Sequence, residues 1–358
     1  MAKVLMKGNE AIGEAAVRAG CRFFFGYPIT PQSEVPEYLC KRLPEVGGAF
    51  VQAESEVAAS NMILGASGVG VRVLTTSSSP GISLMSEGLS YIACCELPVV
   101  LVNVVRSGPG LGGILPSQSD YFQATKGGGH GDYRLLVLAP ASVQEAVALV
   151  VLAFELADRY RNPVMVMADG MIGQMMEPVD FSGYPLPGPE HKQPEKPWAL
   201  TGTGSRGRTG RNIVNSLYLD PISCNEVNLR LKRKYDLAAQ QEKRWEEVFA
   251  DEEVDLLVVS YGSMARICRT AIDRLRAQGR RVSLLRPITL WPFPDEAVRH
   301  AALRARRVLS VEMSMGQMVE DVRLAVSGAR PVDFFGMAGG RVPTVEEVQG
   351  AVVKLIEA

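Results

Sequence analysis

The chain has 358 residues, 47% of them apolar and 22% charged, with a formal net charge of −1. That length accommodates two domains with buried cores, and the balanced charge offers no electrostatic footprint for nucleic acid or an anionic membrane. The longest apolar run, "VALVVLAF" at 147–154, falls far short of the roughly 18–20 residues that span a bilayer, and "MAKVLMKGNEAIGEAA" has no secretory pattern, so a cytoplasmic protein is expected.

Residues 7–20 carry helical periodicity that stops at Gly20, and "CRFFFG" (21–26) reads as a short buried strand. Residues 31–43 are expected to be helical despite Pro36, 49–53 a strand and 54–67 a helix. Strands at 70–77 and 98–105 flank a helix over 81–93, and 134–140, 142–160 and 163–169 read as strand, helix and strand. Apolar strands interleaved with helices predict a parallel sheet covered on both faces. Residues 183–215 break the pattern with a proline-rich stretch and then the basic, glycine-rich "TGTGSRGRTGRN", as in a linker. Residues 225–249 read as one charged amphipathic helix. Strands at 254–263, 281–288, 307–313 and 332–337 then build a second α/β unit, closed by a helix over 344–357 whose Thr344 and Glu347 have capping-box spacing. The expected division is 1–182, a linker with its charged helix over 183–250, and 251–358.

The six cysteines (Cys21, Cys40, Cys94, Cys95, Cys224, Cys268) include no C-x-x-C, and His130, His191 and His300 are far apart. Local iron–sulfur or zinc ligation and a Ser-His-Asp triad are therefore disfavoured. Two stretches match G-x-G-x-x-G: Gly108, Gly110, Gly113 and Gly202, Gly204, Gly207. A dinucleotide fingerprint needs a strand before it and a helix within it. The second match lacks the strand, and Pro116 interrupts the helix after the first.

Four features sit at carboxyl ends of predicted strands, where open α/β sheets bind ligands. In "FFFGYPITPQSEV" (24–36), Thr30 reads as a helix N-cap with Pro31 at N1, stiffened by Tyr27 and Pro28. Such a helix start with an exposed hydroxyl suits a carboxylate. In "QAESEVAAS" (52–60), Glu54 and Glu56 occupy a first turn, two positions apart, so only one can enter a pocket. "TTSSSPG" (75–81) offers hydroxyls and free amides or is an ordinary turn. Arg106 ends "PVVLVNVVR" and is either a surface ion pair or a bidentate partner for a substrate carboxylate.

The stretches "GYPITP", "ESEVAAS", "SSSPGISLMSEGLSYIACCELPVVLVNVVRSGPGLGG" and "SQSDY" resemble the alpha chain of thiamine-diphosphate-dependent 2-oxoacid:ferredoxin oxidoreductases, and the likeness covers nearly the whole chain. It implies a thiamine diphosphate pyrimidine-binding domain followed by a transketolase C-terminal-like domain. It further implies that Glu56 hydrogen-bonds N1′ of the cofactor's aminopyrimidine and favours the tautomer that takes the reactive carbon's proton. Thr30, Ile29 and Arg106 would bind substrate, and Tyr27, Pro28, Ser79 and Gly81 would line the cofactor. "RSGPGLGGILPSQSD" looks most like chains for branched 2-oxoacids, 3-methyl-2-oxobutanoate among them, with 2-oxoglutarate or pyruvate as alternatives.

The resemblance implies oxidative decarboxylation with coenzyme A as acyl acceptor and ferredoxin as electron acceptor. The Mg²⁺ signature of the enzyme class, Gly-Asp-Gly followed by asparagine, is not found; "ADG" (168–170) and "HGDY" (130–133) are incomplete. A beta subunit is therefore expected to hold the diphosphate, Mg²⁺ and a [4Fe-4S] cluster, with gamma and ferredoxin-like delta subunits as further partners. A non-catalytic assembly subunit of such a complex is the competing reading.

Overall fold

The computed structural model describes residues 3–188, 195–202 and 211–358. Its first part runs β1 (Val4–Lys7), α1 (Gly8–Arg18), β2 (Phe23–Gly26), α2 (Glu34–Glu45), β3 (Ala49–Gln52), α3 (Glu56–Gly68), β4 (Val73–Ser77), α4 (Ser79–Cys94) and β5 (Val100–Val105). There follow α5 (Tyr121–Thr125), β6 (Leu136–Leu138), α6 (Val143–Tyr160), β7 (Val164–Asp169), α7 (Gly170–Gln174) and β8 (Met176–Val179). After α8 (Pro221–Gln241) come β9 (Trp245–Val248), β10 (Val254–Val259), α9 (Gly262–Ala277), β11 (Val282–Pro287), β12 (Thr289–Trp291), α10 (Asp295–Leu303), β13 (Ala305–Glu312), α11 (Met318–Val326), β14 (Val332–Gly336) and α12 (Val345–Ile356).

Seven strands form one sheet in the order β12-β6-β7-β5-β4-β2-β3, parallel except for β12. Every residue of β5 is buried, as a strand covered on both faces requires. Leu101 and Val105 pack on one side with Ile63 of α3 and Leu89 of α4, while Val100, Val102 and Val104 pack on the other with Ile12 of α1, Leu39 of α2 and Val150 of α6. A second sheet has the order β14-β13-β10-β11-β9, parallel except for its edge strand β9. One face of it, through Leu257, Val259, Leu285 and Val308, joins the cluster of Ile63 and Leu89, so the two sheets share a core. Its other face packs under α9 and α12.

The fold class follows the sequence reading: α/β, with two open, mainly parallel sheets. The capping box also forms, with Glu347 N donating to Thr344 Oγ1 at 3.1 Å and Thr344 N to Glu347 Oε2 at 2.9 Å. Four details differ. The helix after the Tyr-Pro-Ile-Thr-Pro turn starts at Glu34, not at Pro31, because the carbonyls of Thr30 and Pro31 are taken by Arg106, Asn9 and Gln174 instead of a helix. Glu54 lies outside α3, since Ser55 is the N-cap and accepts from Ala58 N at 3.2 Å. The charged helix ends at Gln241: Glu242, with Arg159 and Arg244 on its carboxylate, turns the chain into β9, which pairs with β11. Finally β12, deep in the expected second domain, is an edge strand of the first sheet. The expected linker falls partly on 189–194 and 203–210, as do His191, Gly204 and Gly207, outside the described residues.

Gln118 fastens the sheets together. Its backbone N donates to Met313 O at 2.8 Å and its carbonyl accepts from the Tyr261 hydroxyl at 3.2 Å. Its Nε2 donates to Tyr261 O at 2.9 Å, and its Oε1 accepts from Met313 N at 2.9 Å. Gln118→Ala would leave Met313 N without its acceptor, while Tyr261 O keeps Ala265 N as a donor at 3.2 Å. The expected loss of stability is about 1–3 kcal/mol, read as a lowered chemical-denaturation midpoint at unchanged slope.

Candidate active site

The winding of the large sheet reverses between β2 and β4, and the predicted residues gather outside the carboxyl ends of β2, β4 and β5. The turn after β2 is tied by its carbonyls. Arg106 Nη1 donates to Thr30 O at 2.9 Å, Asn9 Nδ2 to Pro31 O at 2.8 Å, Gln174 Nε2 to Pro31 O at 3.0 Å and Gln32 Nε2 to Tyr27 O at 3.3 Å. With the backbone so held, Tyr27, Pro28 and Thr30 are exposed and Ile29 is half-buried. The Thr30 hydroxyl has no hydrogen-bond partner among the described residues.

Glu56 is the first residue of α3 and only 5% exposed. No group among the described residues donates a hydrogen bond to its carboxylate. The residue is thus largely removed from water with only the helix N-terminus to favour its charge. Glu54, by contrast, is exposed. The space beside Glu56 exists because residue 81 is glycine. A Cβ there would stand 2.5 Å from Glu56 Oε1 and 2.1 Å from Ser77 Oγ.

Arg106 is 7% exposed, just after β5. Its Nη2 donates to Leu111 O at 2.9 Å, and its Nε is buried without a partner. A donor left so marks a place for an acceptor from outside the chain. The first glycine motif, which sequence reading separates from dinucleotide binding, is a hairpin that closes over this arginine. Arg106 pairs with Pro116, Ser107 N donates to Leu115 O at 3.0 Å, and Gly113 N to Ser107 O at 2.9 Å. Gly112 has φ +61°, and a Cβ on it would lie 1.8 Å from Ser107 O, so the neck needs glycine. Leu111 stands at the tip, 81% exposed, with Ile114 and Leu115 also exposed.

Ser79 serves this arginine more than a ligand. Its hydroxyl accepts from Arg106 N at 3.0 Å and donates to Arg106 O at 3.2 Å, while its own N donates to Asn103 Oδ1 at 3.1 Å. Asn103 Nδ2 in turn donates to Asp120 Oδ2 at 2.8 Å. Burial pushes the Asp120 carboxyl up from its ordinary range, and its bonds to Ser79 and Asn103 hold it back in part. Sequence reasoning did not single out Ser77, Asn103, Asp120 or Gln118. For Ser77 a signal existed, since period-two alternation in "VLTTS" places Thr75 and Ser77 on one face. Among the described residues no cluster of His, Cys, Asp and Glu could hold a metal ion.

Residues 14–199 match the family of pyruvate flavodoxin/ferredoxin oxidoreductases, thiamine diphosphate-binding, and residues 254–348 match the pyruvate:ferredoxin oxidoreductase core domain II. The ketoisovalerate oxidoreductase subunit VorB of Methanothermobacter thermautotrophicus is 49% identical over 97% of this chain and 96% of its own length. This chain belongs to the 2-oxoacid:ferredoxin oxidoreductases. The 2-oxoglutarate synthase subunit KorA of the same organism is 38% identical over 98% of both chains. A solved 2-oxoglutarate:ferredoxin oxidoreductase from Magnetococcus marinus, with 2-oxoglutarate, coenzyme A and succinyl-CoA bound, superposes with a TM-score of 0.86 at 27% identity. That match covers 99% of this oxidoreductase chain and 65% of the solved one. A split-gene transketolase shares the fold at a TM-score of 0.60 and 15% identity. Both of these archaeal relatives are named as subunits of their oxidoreductases. No helix of the described residues is long and apolar enough to cross a membrane.

The site fits one part of thiamine diphosphate. A partnerless buried carboxylate beside a glycine notch suits a ring nitrogen that donates a hydrogen bond. For the metal that accompanies the diphosphate, no cluster of His, Cys, Asp and Glu exists among the described residues.

Proposed function

We propose that this chain is the alpha subunit of a coenzyme A-dependent 2-oxoacid:ferredoxin oxidoreductase whose substrate is a branched 2-oxoacid, 3-methyl-2-oxobutanoate foremost. The observation that carries this reading is Glu56: buried, without a hydrogen-bond partner among the described residues, and facing the notch at Gly81. Bound thiamine diphosphate supplies the carbon nucleophile and the sink for the electrons released as carbon dioxide leaves. Glu56 would hold the ring at N1′ and hold the proton exchanged there. In a dry site that bond is far stronger than in water. Tyr27, Pro28, Ser79 and Gly81 would shape the wall around the ring. Arg106, with its Nε, and the Thr30 hydroxyl would hold the substrate carboxylate in register until it departs, with Ile29 alongside. The hairpin 107–116 would exclude water above them.

Two considerations favour a branched alkyl substrate. The VorB relatives are more similar to this chain than the KorA relatives are. The outward side chains of the hairpin (Leu111, Ile114, Leu115) also suit an alkyl group better than the second carboxylate of 2-oxoglutarate. Mg²⁺, the diphosphate grip and a [4Fe-4S] cluster are assigned to a beta subunit, with gamma and ferredoxin-like delta subunits and ferredoxin completing the electron path. Co-expression with its neighbours and a panel of 2-oxoacids with coenzyme A and a dye acceptor tests the reading. The complex is expected to show its highest kcat/KM with 3-methyl-2-oxobutanoate, and the single chain is expected to be inert. Turnover by the chain alone would overturn the shared-site reading, and a preference for 2-oxoglutarate would overturn the substrate.

A further inference from the structure

The run Ser77-Ser78-Ser79 crosses from β4 into α4, and two of its three hydroxyls have structural work. Ser78 donates to Val104 O at 2.7 Å, and Ser79 is bound to the backbone of Arg106. Thr76, the preceding residue, donates to Gln32 Oε1. Ser77 is fully buried, and its Oγ has no partner. It points to the same notch as Glu56: the site of a Cβ on Gly81 is 2.1 Å from Ser77 Oγ and 2.5 Å from Glu56 Oε1. A buried donor without a partner and the unpartnered carboxylate of a largely buried glutamate thus face each other across a glycine, a side-chain rotation from bonding.

We infer that Ser77 is a positioning residue for Glu56, an inference that rests on the assignment of Glu56 to the aminopyrimidine. In the assembled enzyme the Ser77 hydroxyl donates to one oxygen of the Glu56 carboxylate, leaving the other turned to the ring nitrogen. That bond fixes the carboxylate's orientation, so its free oxygen meets the ring in one geometry. Gly81 is required because any side chain there would separate the two groups.

The test uses the complex reconstituted with its partner subunits and stripped of cofactor. Calorimetric titration with thiamine diphosphate is expected to show about tenfold weaker binding for Ser77→Ala, and kcat is expected to fall about tenfold with the KM for the 2-oxoacid unchanged. Ser77→Thr keeps the hydroxyl and is expected to restore both. Wild-type affinity and wild-type kcat in Ser77→Ala overturn the inference, as does a Ser77→Thr variant that folds with a wild-type melting temperature yet shows the defects expected of Ser77→Ala. Glu56→Gln in the same preparation separates the two levels. If it too leaves affinity and kcat unchanged, the assignment of Glu56 falls and Ser77 falls with it. If it alone changes them, only the role of Ser77 is lost.

Discussion

Glu56→Gln in the reconstituted complex is expected to lower kcat by about 10²–10⁴-fold, the range set by removing a positioned proton-transfer group. Glutamine has nearly the same shape, so the residue still fits above Gly81 and beside Ser77. It cannot carry the negative charge that favours a protonated ring nitrogen, and its amide presents a donor where an acceptor is needed. Folding should not suffer. The carboxylate has no partner among the described residues, so neutralising it removes a desolvation cost while forfeiting a modest interaction with the N-terminus of α3. The combination of lost turnover and an equal or higher denaturation midpoint is diagnostic, because a structural residue gives the reverse. Steady-state kinetics and urea titration of the same sample check it. Full activity would leave Glu56 as a helix-terminal charge and favour the assembly-subunit reading.

Arg106→Lys is expected to lower kcat/KM for the 2-oxoacid by about 100-fold, since a hydrogen bond to a charged group contributes about 1.5–3 kcal/mol. Lysine keeps the charge but not the fork. One ammonium cannot hold Thr30 O and Leu111 O while also offering a donor to a substrate carboxylate, as the guanidinium can through Nη1, Nη2 and Nε. Both the substrate grip and the closed hairpin loosen together. Affinity for thiamine diphosphate should stay at the wild-type value, because Glu56 and Gly81 are untouched. A substrate titration alongside a cofactor titration checks this, and equal losses in both would move Arg106 into the cofactor's half of the site.

The large-scale order was legible because it rests on periodicity. Near-continuous apolar runs such as Val100–Val105, interrupted by Asn103 alone, have one physical solution, a strand with helices on both faces. The candidate residues were legible as positions at strand ends, and the structure brings Thr30, Glu56, Gly81 and Arg106 together. What escaped depends on long-range partners. The start of α2 moved because Asn9, Gln174 and Arg106 compete for the turn's carbonyls. The end of α8 moved because Arg159 and Arg244 meet at Glu242. β12 is three residues long and pairs with a strand about 150 positions earlier, a register no local pattern encodes. Gln118 looked like any polar loop residue, because its four partners lie beyond position 260.

The core shared by the two sheets bears on how such enzymes can be recombined. A break between residues 182 and 251 would strip solvent-averse surface from both pieces at once, since Ile63, Leu89, Leu257 and Leu285 belong to one continuous apolar cluster. Chimaeras that graft the latter half of one homologue onto the former half of another must therefore inherit matched contact surfaces, including β12 and the atoms that greet Gln118. On the proposed assignment of the hairpin, substrate preference is better exchanged through its ten residues, 107–116, provided that Leu115 is kept against Gly340.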